Sequence, residues 1–178
     1  MNAETRKTLI DQYKDGYRVV ADALAGATAA ELDAHPAPGK WSPREIVHHL
    51  ADSEMTAAVR LRLLLASDSP RIVGFDQDEF ARRLHYDTRP VAASLRALRA
   101  ARQSTAELME LMTDADWQRA GTHTEHDGPF TCEVWLEIYG VHAHDHADQI
   151  RAARAAGREG RKGGKARKAR KGRKGGSR

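Results

Sequence analysis

Two stretches of the chain carry imidazoles at spacings that a helix would aim in one direction: Glu45-Ile46-Val47-His48-His49-Leu50 and Val141-His142-Ala143-His144-Asp145-His146. At ~100° per residue, His142 and His146 sit ~40° apart on a helical wheel, whereas His144 lies ~200° from His142 and faces away. His142 and His146 continue a stripe begun by Trp135 and Ile138 and extended by Gln149, so they point inward. Histidines one turn apart can chelate one ion, but two imidazoles leave a divalent transition metal short of ligands. In the earlier stretch His49 shares an apolar face with Ile46, Leu50, Ser53 and Ala57, and His48 is rotated off that face by ~100°. His49 is therefore the candidate third ligand. Three neutral imidazoles leave a position open for water or substrate, the pattern of catalytic sites, whereas structural zinc sites are closed by four protein ligands. The spacing equally fits histidines at the edge of a core, bonded to backbone carbonyls.

The elements that must position these residues read as helices. Leu9, Tyr13, Tyr17, Val20 and Leu24 form one apolar stripe, predicting a first helix over about Ala3 to Ala25 that Gly26 ends. Ser42-Pro43-Arg44-Glu45 is a complete helix start, with Ser42 as N-cap, Pro43 at the first helical position and Glu45 closing a capping box. This second helix should run to about Ala66. A long connection follows, marked by Pro70, Gly74 and the acids Asp76, Asp78 and Glu79. A third helix is expected from Pro90 to about Thr113, on Val91, Leu95, Leu98, Thr105, Leu108 and Met112. Asp127-Gly128 suggests the turn of a small hairpin, and a fourth helix should run from about Thr131 to Ala156. The fold class is thus all-α: a four-helix bundle with a long crossover between the second and third helices, unlike a simple up-and-down bundle.

Charge divides the chain in two. Eleven of its 29 Lys and Arg, but one of its 25 acids, lie in 157–178, so 1–156 carries about −6 and the tail about +10. Rich in Lys, Arg, Gly and Ala and lacking branched apolar residues, the tail is expected to be a disordered appendage to one domain, 1–156. Its cations can neutralise phosphates and give weak, salt-dependent nucleic-acid binding; a solubility extension without a partner fits the same composition. The acidic body argues against a folded nucleic-acid face. A single cysteine, Cys132, excludes an internal disulfide. The N-terminus lacks the apolar stretch of a secretory signal, and no uncharged apolar run is long enough to span a bilayer. These features predict a soluble, reducing, cytoplasmic setting.

The residues around the histidines resemble the DinB-like superfamily and, within it, the YfiT-like branch of metal-dependent hydrolases and low-molecular-weight-thiol S-transferases. The likeness is carried by Gly39-Lys40-Trp41-Ser42-Pro43-Arg44-Glu45-Ile46-Val47-His48-His49-Leu50-Ala51-Asp52-Ser53, by Arg60 and Pro70-Arg71-Ile72-Val73-Gly74-Phe75-Asp76, and by Tyr139-Gly140-Val141-His142-Ala143-His144-Asp145-His146-Ala147-Asp148-Gln149-Ile150. It covers nearly all of 1–156 and leaves the tail aside. It implies one histidine on the second helix and two on the fourth as metal ligands, here His49, His142 and His146, with zinc or nickel as the ion and homodimerisation as common among such bundles. Two positions depart from the branch: Glu54 and Gln149 stand where relatives often carry histidine.

A metal held by the three histidines would lower the pKa of a bound thiol or water, and the resemblance implies that this serves S-transfer from a small thiol to an electrophile or hydrolysis of a small substrate. The other reading is a non-catalytic bundle that binds a small ligand and carries a nucleic-acid-binding tail. Asp52 and Asp145, each one turn from a candidate ligand, are candidates to orient imidazoles; solvated charges fit equally. Cys132 is expected to be structural, Trp41, Trp117 and Trp135 to pack in the core or at caps, and His85, His123 and His126 to be exposed in connections.

Overall fold

In a computed structural model of the chain, the backbone of residues 1–174 and the side chains of residues 1–159 are described. Four long helices form the bundle: α1 (Ala3–Leu24), α3 (Pro43–Ala66), α5 (Val91–Met109) and α7 (Cys132–Lys174). Their starts follow local chemistry. Ser42 accepts from the Glu45 amide and Glu45 bonds back to the Ser42 amide, with Pro43 in the first turn, as the sequence predicts. At the end of α1, Gly26 takes a positive φ of 65°, the left-handed conformation that closes a helix at little cost in glycine.

Helix α1 packs on α7 and α5, and α3 packs on α5 and α7. The first two long helices therefore lie across a diagonal of the bundle instead of side by side, and the crossover from α3 to α5 spans the distance. That arrangement sets α3 directly against α7, which matters for the histidines. Two clusters of buried side chains fill the interior. One gathers Tyr13, Leu61, Leu64, Trp135 and Leu136, the other Val20, Ile46, Leu50, Ala147 and Ile150.

Short elements decorate the connections, and several correct the sequence reading. Helix α2 (Ala29–Leu32) opens on a capping box between Thr28 and Glu31, in the connection between the first two helices that the sequence predicts. The long crossover contains strand β1 (Arg71–Ile72) and helix α4 (Gln77–Arg83), the latter capped by Asp76. The third long helix stops at Met109, short of Thr113, because Thr113 caps the separate turn α6 (Asp114–Trp117) in a capping box with Asp116. The hairpin exists as β2 (Ala120–His123) and β3 (His126–Thr131), but its turn is Thr124-Glu125. Asp127-Gly128 sits inside β3, where the pairing skips from His123↔His126 to Gly121↔Phe130 and Gly128 adopts φ 84°; the pair makes a bulge, not a turn. Strand β1 adds in parallel to β2, so the otherwise helical fold carries a three-stranded sheet in the order β1-β2-β3.

The fourth long helix continues past Ala156. Arg158 bonds Glu31, so the packed body extends to at least that residue. The expectation of a disordered 157–178 otherwise concerns side chains outside the described residues. No helix among the described residues is long and apolar enough to cross a membrane.

Candidate metal centre

Because α3 and α7 are neighbours, the inward faces picked out by their periodicity meet. His49 from α3 and His142 and His146 from α7 each turn a ring nitrogen to one point, the three atoms lying within 4.8 Å of one another. His142 Nε2 is 3.4 Å from His49 Nε2 and 3.1 Å from His146 Nε2. The rings stack edge to face, with centroids 4.6 to 5.3 Å apart.

Burial holds all three imidazoles below the ordinary histidine range: His49 at about 3 and His142 at about 2, with desolvation the largest cause and the neighbouring rings adding to it. His146 is lowered by desolvation as well. All three are therefore neutral near pH 7, each with one lone pair. His146 Nδ1 donates to Gln149 Oε1 at 2.9 Å, which assigns its proton to Nδ1 and leaves Nε2 as a bare acceptor. The His146 lone pair therefore faces His142 Nε2 at 3.1 Å, and His142 Nε2 faces His49 Nε2 at 3.4 Å, gaps that a proton or a cation can bridge. Ligands about 2.0 to 2.1 Å from one tetrahedral ion stand about 3.3 to 3.4 Å apart, so the two separations at His142 are near those of a shared divalent metal, and His49 and His146 lie within 4.8 Å of each other.

The supporting contacts decide between the two roles open to Asp52 and Asp145. Asp52 accepts from Tyr86 Oη at 2.6 Å instead of orienting His49, and Asp145 is exposed. Gln149 fills the orienting role, and only for His146. His49 Nδ1 and His142 Nδ1 are buried without a hydrogen-bond partner among the described residues. Packing fixes those two rings: Trp41 lies 4.8 Å from His49, and Tyr139 meets His142 edge-on at 6.0 Å, between centroids.

Other candidates resolve in place. His48 is wholly buried and bonds Ser94 Oγ and the Arg89 carbonyl, tying α3 to the start of α5. His144 faces α1 and bonds the Gln12 carbonyl. Glu54 is in the core, not the pocket: it accepts from Arg102 at 2.6 Å and from the Tyr13 hydroxyl, and Gly16 leaves the space that the Arg102 guanidinium fills. Cys132 is buried and desolvation pushes its thiol up to about 11, the opposite of a reactive cysteine. Trp117 and Trp135 are core residues. His123 and His126 stack against Phe130 in the hairpin, and His85 is exposed.

Two cavities open onto the histidines. One, of about 470 Å³, is lined by His49, His142 and His146 with Ser53, Arg60 and Tyr139 on its inner side and Asp76, Asp78 and Glu125 on its outer side. The other, of about 490 Å³, runs past His146 and Gln149 along Trp41 and Lys40. Gln77 and Asp78 border both. Trp41 is thus a pocket wall, which its place just before a helix cap did not suggest. Arg60 and Tyr139 were also missed as pocket residues; both lie within the motif stretches, but each points to the cavity only because α3, α7 and the crossover meet there.

Residues 12–150 match the model of the DinB superfamily. A protein of Geobacillus thermodenitrificans is 30% identical over 152 residues, 83% of this chain and 85% of its own length, and YfiT of Bacillus subtilis is 30% identical over 123 residues, 69% of each chain. Both are provisionally described as metal-dependent hydrolases. The solved structure of YfiT superposes with a TM-score of 0.79 at 26% identity, covering 89% of each chain. It is described as a probable metal-dependent hydrolase with an unusual four-helix bundle topology, and the diagonal placement of α1 and α3 accords with that description.

Proposed function

Since the chain belongs to the DinB superfamily, we propose that it is a metal-dependent enzyme in which His49, His142 and His146 hold a divalent transition metal, zinc or nickel. The observation that carries this reading is the convergence of three neutral imidazole nitrogens at the junction of two cavities. When bound, such an ion supplies Lewis acidity that makes a thiol or a water a nucleophile near neutral pH.

The chain's own contribution is positional. Three protein ligands leave room for a reactant. Gln149 holds the His146 proton on Nδ1, and Trp41 and Tyr139 brace the other two rings, so the donor set is rigid before anything binds. Glu54, Arg102 and Tyr13 lock α3, α5 and α1 together beneath the site through a fully buried network. Two cavities that share His146 suit a reaction between two small molecules: a low-molecular-weight thiol in one and an electrophile in the other. Hydrolysis of a single substrate would use one cavity and a water.

Metal content per chain, measured by mass spectrometry on tagless protein beside His49→Ala and His142→Ala, tests the ligand set. Near one metal per chain, lost in both variants, is the expected result. Thiol consumption with a chlorinated or epoxide electrophile, against release of acid from small esters and amides, then separates transfer from hydrolysis. Activity that survives in a His142→Ala, His146→Ala double variant overturns the catalytic reading. Full metal occupancy without turnover of either kind would identify a ligand-binding bundle instead.

A further inference from the structure

Arg60 is the one cation on the wall of the 470 Å³ cavity among its described lining residues, and it is 7% exposed. A buried guanidinium is ordinarily paired with a carboxylate, because desolvating it costs several kcal/mol. Arg102, the other buried arginine of the bundle centre, follows that rule with Glu54 at 2.6 Å. Arg60 does not. Among the described residues it takes part in no ion pair; Nη1 donates to Tyr139 Oη at 2.7 Å and Nη2 to the Val73 carbonyl at 2.8 Å. Its Nε is buried with no acceptor among the described residues.

Its side-chain partner, Tyr139, is itself incomplete. Tyr139 is 5% exposed and its oxygen accepts from Arg60, so its own hydroxyl proton has no protein acceptor among the described residues. Tyr139 packs edge-on against the His142 ring, and Arg60 and Tyr139 line one cavity with the histidines. A neutral ligand could satisfy either donor, but the buried cation lacks a counter-charge, and that favours an anionic oxygen pair matching the planar fork of arginine.

We propose that Arg60 and Tyr139 form an anchoring subsite for a carboxylate group of the substrate, accepted from Arg60 and from the Tyr139 hydroxyl. This rests on the reading of the cavity as the substrate site and names the substrate class: small carboxylic acids whose reactive end lies toward the histidines. The acids Asp76, Asp78 and Glu125 stand on exposed backbone at the rim of the same cavity. They are solvated and weigh little against a group bound at the floor, yet they disfavour a second negative charge at the outer end. The ligand is therefore a carboxylate whose outer end is neutral or cationic.

The test uses the metal-free full chain, labelled with nitrogen-15, and follows the arginine Nε–H resonances during titration with propionate or, separately, propionamide. One resonance, identified by its loss in Arg60→Lys, is expected to shift saturably with propionate and to stay put with propionamide. Tyr139→Phe should keep that resonance and weaken propionate about three- to tenfold, the value of one hydrogen bond to an anion. Far-ultraviolet circular dichroism of both variants checks that the bundle is intact. An Arg60 resonance that ignores propionate, or that answers the amide equally, overturns the subsite. Metal uptake measured on the same samples keeps the two readings apart. Uptake with a silent Arg60 removes only the subsite, and a responsive Arg60 in a chain that takes no metal removes only the metal reading.

Discussion

The neutrality of the buried histidines has a cost that can be measured in the metal-stripped chain. In the folded state His49 and His142 are held near about 3 and about 2, while in the unfolded chain each titrates near its ordinary value of 6.5. Both folded values are depressed, so between pH 6.5 and 3 the unfolded state binds more protons than the folded one. Stability therefore falls as pH falls, beginning at the unfolded value. At pH 5 both folded values are already well below the solution pH, and the loss depends only on the unfolded value: about 1.4 kcal/mol per pH unit over 1.5 units, or about 2 kcal/mol for each histidine. The pair thus contributes about 4 kcal/mol of destabilisation between pH 7 and pH 5, a large share of the 5 to 15 kcal/mol of a typical domain. With a urea m-value of about 2 kcal/mol/M, the unfolding midpoint of the stripped protein should drop by about 2 M from this source. Because other groups titrate in the same range, the assay compares the native sequence with a His49→Gln, His142→Gln variant and reads the difference in pH slope. The variant should lose about 4 kcal/mol less over the same interval. Equal slopes would refute the argument, showing that the cluster accepts protons without opposing the fold.

Further outcomes follow from single contacts. Gln149→Ala removes the acceptor that fixes the His146 tautomer and should weaken metal affinity about 10- to 100-fold by competition with a chelator, with helix content unchanged. Arg102→Met leaves Glu54 buried and unpaired and should cost about 3 to 5 kcal/mol in urea unfolding, whereas adding Glu54→Gln should recover part of that loss. Gly121→Ala would drive a methyl group into the Pro70 carbonyl where β1 meets β2; a lower thermal midpoint is expected, by roughly 2 to 4 °C for each kcal/mol lost in a domain of this size. If the basic C-terminus binds nucleic acid, truncation after Glu159 should abolish salt-dependent DNA retention while sparing the Arg158 to Glu31 contact and the helix signal.

Much of the local order was legible because helix starts and stripes are properties of residues a few positions apart. Ser42 to Glu45 capped α3 as read, Gly26 closed α1, and the wheel placed His49, His142 and His146 on inward faces while turning His144 away. Where signals were equally local but unread, the misses are instructive: Thr28 with Glu31 and Thr113 with Asp116 are capping boxes of the same kind, each starting a helix too short for apolar periodicity to reveal. Asp127-Gly128 misled because glycine with positive φ serves a bulge as readily as a turn, and strand pairing decides between them.

Residue order alone sets which face of each helix carries imidazoles, since a 3.6-residue period fixes angles within one helix and the caps fix where each begins. Which faces meet was decided only in the folded chain. His49 and His142 are 93 positions apart, and they meet because α1 and α3 sit on a diagonal that puts α3 against α7. The same packing sent Glu54 to Arg102 in the core and closed a cavity over Arg60 and Tyr139. Such pairings are set by the relative rotation and spacing of whole helices, which summed burial of their apolar faces selects and no short-range pattern encodes.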